Sequence, residues 1–257
     1  MKLFNASLFA ATATAFAGLY GPDFAKTHHA RGNETLAERS AQINCSNIPS
    51  YLTQDDCNYL SSIGLAGVGW GDGNINVGSD GDLFFVLNNA SPGQDLIVLF
   101  WYGDKQWINA NAPVITLSLP AGASMDVALA DNGWSGGFGA IYAHQNTLNG
   151  YGQLWNTVGE FSTGTYRTFD VSREVDMYGS WLQIDGDNGC NAEWSGFSQC
   201  CFTCSTLDKW NGCETGYWLD NCYEQTSTAY NPGAHSDNGL TSGGCGGWAR
   251  SANVRFL

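Results

Sequence analysis

Nine cysteines carry the most chemistry in this sequence: Cys45, Cys57, Cys190, Cys200, Cys201, Cys204, Cys213, Cys222 and Cys245. Two stand early and seven fall between positions 190 and 245. In an oxidising compartment such a set is disulfide material, although the connectivity does not follow from spacing. The odd number leaves one thiol over unless it pairs between chains. Cys201-Phe-Thr-Cys204 has half the spacing of a zinc site. The only histidines beyond the first 43 residues are His144 and His235, and neither lies near a second such pair, so no metal and no cofactor is expected.

Two other constellations fall short of a site. Asp72-Gly-Asn74-Ile-Asn76-Val77-Gly78 opens like a calcium loop, but Val77 stands where the EF-hand needs Gly and Leu83 where it needs the bidentate Glu. Ser135 lacks the G-x-S-x-G elbow, so Asp131 and His144 do not complete a serine hydrolase, and His144 reads as a strand-end residue. Asn33, Asn44 and Asn89 match the N-glycosylation acceptor pattern, with Asn89 in the turn-like Asn88-Asn89-Ala90-Ser91-Pro92-Gly93. The abundant aromatics offer more: flat rings suit the apolar faces of sugars. Trp210 and Trp218, set among Asp, Asn and Gly, are the binding candidates, while Trp101 and Trp134 lie in apolar runs and read as core.

Whatever chemistry exists operates outside the cell. Lys2 precedes an apolar run from Leu8 to Phe16, and Ala15-Phe16-Ala17 is an A-x-A cleavage site, so residues 1–17 are predicted to be a signal peptide. The polar stretch 18–43 reads as a leader or propeptide. No later run approaches the roughly 20 apolar residues of a membrane span, so no membrane partner is expected. Lys plus Arg number 10 against 24 Asp plus Glu, a net charge of −14, which repels the phosphate backbone of nucleic acid.

The elements that must position these residues are strands. The 257 residues are 13% charged and 13% aromatic and include 33 Gly, a composition that excludes disorder and disfavours a helical bundle. Short runs at 82–88, 96–102, 114–119, 125–129, 138–143, 154–161, 167–171 and 181–184 are separated by Gly, Pro and Asp turn signals, the rhythm of an all-β sandwich. The last residues alternate Ala252, Val254 and Phe256 against Asn253 and Arg255, which predicts a closing strand. Only Ile48 to Ile63 has a helical pattern, ended by Gly64. The predicted organisation is a short helical Cys-containing segment at 44–64, a β-sandwich core at 65–185, a Cys-rich loop region at 186–245 and the closing strand at 246–257.

Residues 117–176 carry a resemblance. Leu117-Ser-Leu-Pro-Ala-Gly-Ala followed by Gly133-Trp134-Ser135-Gly136 resembles the LPPG…GWSGR strand pair of the thaumatin-like (osmotin/thaumatin) superfamily. Gly159-Glu160-Phe161-Ser162, Phe169-Asp170-Val171-Ser172 and Val175-Asp176 resemble that family's AEFT and YDVS-x-VDG segments, in the same order. The region Leu96 to Phe161 is also similar to secreted fungal allergen-type proteins. Three features depart from the thaumatin pattern: nine cysteines rather than ten or sixteen, Gly137 in place of the family's Arg, and one extra residue between Asp170 and the second acid.

The resemblance implies a thaumatin-like β-sandwich with a disulfide-rich loop region and an acidic cleft lined by Glu160, Asp170 and Asp176. Paired carboxylates cleave a glycosidic bond when one is held protonated and the other ionised. The expected function is therefore binding of β-glucan or another wall polysaccharide in a defence, virulence or allergen-type role. A weak endo-β-1,3-glucanase using the three acids, and an effector or inhibitor that binds a host protein, are the alternatives.

Overall fold

The computed structural model describes residues 45–63, 69–106, 108, 112–144, 154–165, 167–173, 175–195, 199–204, 217–220, 230–234 and 242–257. The predicted signal peptide and leader lie outside them, as do Asn33, Asn44, Trp210, Cys213 and Cys222. The side chains of Cys204 and Trp218 lie outside as well.

The fold is all-β. Its strands are β1 (Ile75–Val77), β2 (Leu83–Asn89), β3 (Leu96–Tyr102), β4 (Ile115–Leu119), β5 (Ser124–Leu129), β6 (Ser135–Tyr142), β7 (Val158–Ser162), β8 (Thr168–Ser172), β9 (Leu182–Gly186) and β10 (Asn191–Trp194). The series continues with β11 (Gln199–Cys204), β12 (Tyr217–Asp220), β13 (Tyr230–Ala234), β14 (Ser242–Gly246) and β15 (Ser251–Phe256). One half-sheet runs β1-β5-β2-β15-β9-β10 and the other β4-β3-β6-β7-β8, with β11 joining β10 to β8 so that the whole is nearly a barrel. The Cys-rich segment is thus more than loops, since β10 to β14 lie within it.

The main core lies between the two halves. Phe85 of β2 meets Phe138 of β6 and Phe161 of β7 at ring distances of 5.2 and 4.9 Å, and Phe138 meets Phe256 of β15 at 6.3 Å. Burying each such ring stabilises the fold by about 1.5–3 kcal/mol. Strand β2 alternates strictly between buried and half-buried residues, as one covered face dictates. Strands β3 and β6 are buried throughout, because a second apolar cluster covers their outer face. Leu60, Ile97, Leu99, Trp101, Ile108, Ile141, Leu154, Val158 and Val175 form that cluster.

Leu60 comes from the helix α1 (Gln54–Ile63), which begins later than the apolar pattern from Ile48 suggests. Thr53 sets the start, because its Oγ1 caps the N–H of Asp56, and Asp55 and Asp56 complement the helix dipole. The Cys45–Cys57 disulfide ties the preceding turn to the helix. Ser118 of β4 accepts the N–H of Thr53 at 2.9 Å and donates its hydroxyl to the Asp56 carboxylate. The other oxygen of that carboxylate lies 2.5 Å from Nε2 of His144, whose ring stacks on Tyr59 at 4.3 Å. His144 therefore stands at a strand end and also docks the helix.

Strand β15 is central: it runs parallel to β2 and antiparallel to β9, burying Ala252, Val254 and Phe256. Asp187 fixes its entry by accepting the N–H groups of Ala249, Arg250 and Ser251 at 2.7, 2.7 and 3.0 Å. A second disulfide, Cys190–Cys245, closes 55 residues of chain, a constraint worth about 4 kcal/mol in the loop-entropy picture. Cys200 is disulfide-bonded as well, and Cys201 is a thiol buried in the main core.

Candidate functional site

Strand register brings two of the three predicted acids together. Glu160 of β7 pairs directly with Asp170 of β8, Gly137 of β6 pairs with Glu160, and Trp101 of β3 pairs with Gly137. Directly opposed residues point to the same face with Cβ atoms about 4.5–5.5 Å apart. The row Trp101, Gly137, Glu160, Asp170 therefore crosses one face of the half-sheet. Val158 lies two residues before Glu160 and belongs to the outer cluster, so this is the helix-covered face and not the main core.

The expected open cleft is not what these residues form. Glu160 is 4% exposed and Asp170 is fully buried. Gly137 explains part of the closure, since a Cβ there would lie 2.4 Å from Cδ1 of Ile108. Where the thaumatin-like pattern has a cationic side chain beside the Glu, this chain lays an aliphatic one over the row.

Asp176 sits in the loop after β8, half-buried. Burial pushes its carboxyl above the ordinary value, opposed by the N–H of Tyr178 and by the charge of Arg173. That Arg173 lies over the Trp194 ring, 3.5 Å from its centroid, and donates to the carbonyl of Met177.

The remaining candidates divide. Trp218 lies on β12, where its backbone pairs with Thr203. Trp101 is core as expected, but Trp134, expected in the core as well, is 39% exposed. Its indole stands over Gly103 because the flanking turn, held by Thr163, turns the ring out of the strand. Trp70, Tyr178 and Trp181 are also exposed. Asn89 departs from the glycosylation reading: it is 2% exposed, and its Nδ2 donates to the carbonyls of Gln94 and Leu119 at 2.7 and 2.9 Å. The folded chain holds that nitrogen inward, away from any surface glycan.

Ser118, Asp56 and His144 have the residue types of a hydrolase triad in the wrong order. The serine donates to the carboxylate rather than to the imidazole, so no base faces the hydroxyl. Among the described residues no group of three or more His, Cys, Asp or Glu is placed to hold a metal, and no helix is long and apolar enough to cross a membrane.

No protein-family profile and no curated protein matches the chain. Among solved structures, the crystal structure of the protein elicitor MoHrip2 from Magnaporthe oryzae is similar with a TM-score of 0.35 and 12% identity, over 68% of this chain and 98% of that one.

Proposed function

We propose that the protein is a secreted, thaumatin-like binder of cell-wall or host β-glucan, or of another wall polysaccharide, in a defence, virulence or allergen-type role, and that it does not cleave its ligand. The observation that supports binding over cleavage is the burial of Glu160 and Asp170. A general acid must come within hydrogen-bond reach of the glycosidic oxygen, and a second carboxylate must reach the anomeric carbon or its water. A carboxylate pair covered by Ile108 and the outer cluster offers a polymer neither contact. The exposed rings of Trp70, Trp134 and Trp181 supply flat apolar faces for sugar stacking. The disulfides fit an oxidising, extracellular setting.

The test is release of reducing ends from β-1,3-glucan by the purified protein at pH 4 to 6. The proposal expects none above the buffer blank while the protein stays bound. Release that Glu160→Gln abolishes would establish the glucanase alternative, and a host protein captured without any glycan affinity would establish the effector alternative.

A further inference from the structure

One cavity lies away from the acid row. It measures 520 Å³ and is lined by Asp131, Gly164, Thr165, Arg167, Gly247 and Trp248, which come from the β5–β6 turn, the β7–β8 turn and the approach to β15. That size falls within the roughly 300–1,000 Å³ of small-molecule sites.

The charges in this lining cancel. Asp131 accepts the N–H of Gly164 through one oxygen and a guanidinium N–H of Arg167 through the other, both at 2.5 Å. Arg167 also donates to the carbonyl of Ala249 at 2.6 Å. Burial pushes the Asp131 carboxyl up, but the bonds from Arg167 and Gly164 outweigh it and hold it below its ordinary value, so the pair persists in mild acid. An anionic ligand would meet a neutralised arginine in a strongly acidic protein, and a cation would meet a carboxylate already engaged on both oxygens. What the lining still offers is the Thr165 hydroxyl and the peptide groups of Gly164 and Gly247, above the buried ring of Trp248.

Two further features stand beside the cavity. Trp248 is fully buried, and its Nε1–H has no hydrogen-bond partner among the described residues, an arrangement that folding alone does not favour. Arg167 has a backbone φ of +24°, which costs a non-glycine residue energy and is held by its bonds to Asp131 and Ala249. At the neighbouring turn, Trp134 is tied to this region through Thr163, whose Oγ1 accepts the N–H groups of Gly133 and Trp134 and whose own N–H donates to the Trp134 carbonyl. Its exposed indole stands three residues beyond Asp131.

We propose that this cavity holds an uncharged pyranose unit of a glycan, with the chain continuing over Trp134. The neutral, hydroxyl-matching lining and the adjacent flat ring together fit a sugar better than any charged ligand. The proposal rests on the glycan-binding reading above and gives that reading a site at the β7–β8 turn, which does not include Glu160 or Asp170.

The test is calorimetric titration of the whole secreted protein with laminarihexaose at pH 5, for wild type and three variants. Thr165→Trp fills the cavity from an exposed position and leaves Asp131 and Arg167 themselves in place, so its melting temperature separates loss of the site from loss of the fold. Trp134→Ala removes the stacking ring, and Tyr178→Ala removes an exposed ring elsewhere. The expected result is a loss of at least tenfold in affinity for Thr165→Trp and Trp134→Ala with cooperative melts retained, no change for Tyr178→Ala, and a shift of the Trp248 indole N–H resonance on titration. Wild-type binding that survives Thr165→Trp would overturn the site and leave the glycan reading standing. Absence of wild-type binding to this glycan would overturn both.

Discussion

Glu160 and Asp170 occupy directly opposed positions on β7 and β8, on the face of the half-sheet that the outer apolar cluster covers. Two carboxylates held this way are part of the protein interior, and a polymer outside cannot use them. Glu160→Gln is accordingly expected to leave affinity for β-1,3-glucan within about twofold of wild type, because the residue touches no ligand. A sedimentation assay at pH 5 checks it. Loss of binding in a variant that keeps its melting temperature would return the acid row to the surface.

Gly137 is a second consequence of the same row. Ile108 lies where a Cβ at 137 would stand, so Gly137→Ala overpacks the outer cluster. The expected cost is about 1–3 kcal/mol. For a chain of this size that lowers Tm by about 2–4 °C per kcal/mol, which calorimetry resolves.

Two aspartates should respond to pH with opposite signs. At Asp187 burial pushes the carboxyl up, but the N–H groups of Ser251, Ala249 and Arg250 outweigh it and hold it below the ordinary value. A depressed carboxyl stabilises the fold above the ordinary carboxylate range near pH 4 and loses that contribution as pH falls through its folded value. Asp187→Asn should therefore lower Tm at pH 7 and matter less at pH 3. Asp176 is raised by burial, so its charged form opposes folding at neutral pH. Asp176→Asn retains an acceptor for the Tyr178 N–H and should raise Tm at pH 7, with the gain vanishing at pH 3. Thermal melts of both variants at the two pH values decide the matter.

Strand β15 supplies a prediction about folding. Ending the chain at Gly247 removes the strand between β2 and β9 and the Trp248 ring that stacks on Phe85 at 5.3 Å. The truncated protein should fail to accumulate in a secretion host, and any that does should lack a cooperative melt. A normal yield with an unchanged Tm would mean that β15 is dispensable.

The strands that were legible in the sequence are those with one covered face or an unbroken apolar run. The strand 96–102 is Leu96–Tyr102 in the structure, and Ala252, Val254 and Phe256 alternate inward on β15. Strands β10 to β14 were not legible, because they are short, rich in Cys, Gly and Asn, and carry little periodic apolar signal. At the site, motif order led to Glu160 and Asp170, and register does place them together. Their face of the half-sheet is covered by a cluster to which Ile108 and Leu60 of α1 contribute from outside the motif. The Asp131–Arg167 pair was invisible for a similar reason: 36 residues separate partners that only the adjacent β5–β6 and β7–β8 turns bring to 2.5 Å. Trp134 misled because it stands just before β6, flanked by Gly133 and Ser135, and its ring turns out over Gly103.

The most direct test of the central claim is co-sedimentation of the purified, disulfide-intact protein with insoluble β-1,3-glucan at pH 5, with the supernatant assayed for reducing ends. The account predicts that the protein pellets with the glucan, is displaced by soluble laminarihexaose, and releases no sugar. Protein that stays wholly in the supernatant, or a supernatant that gains reducing ends with time, would contradict it.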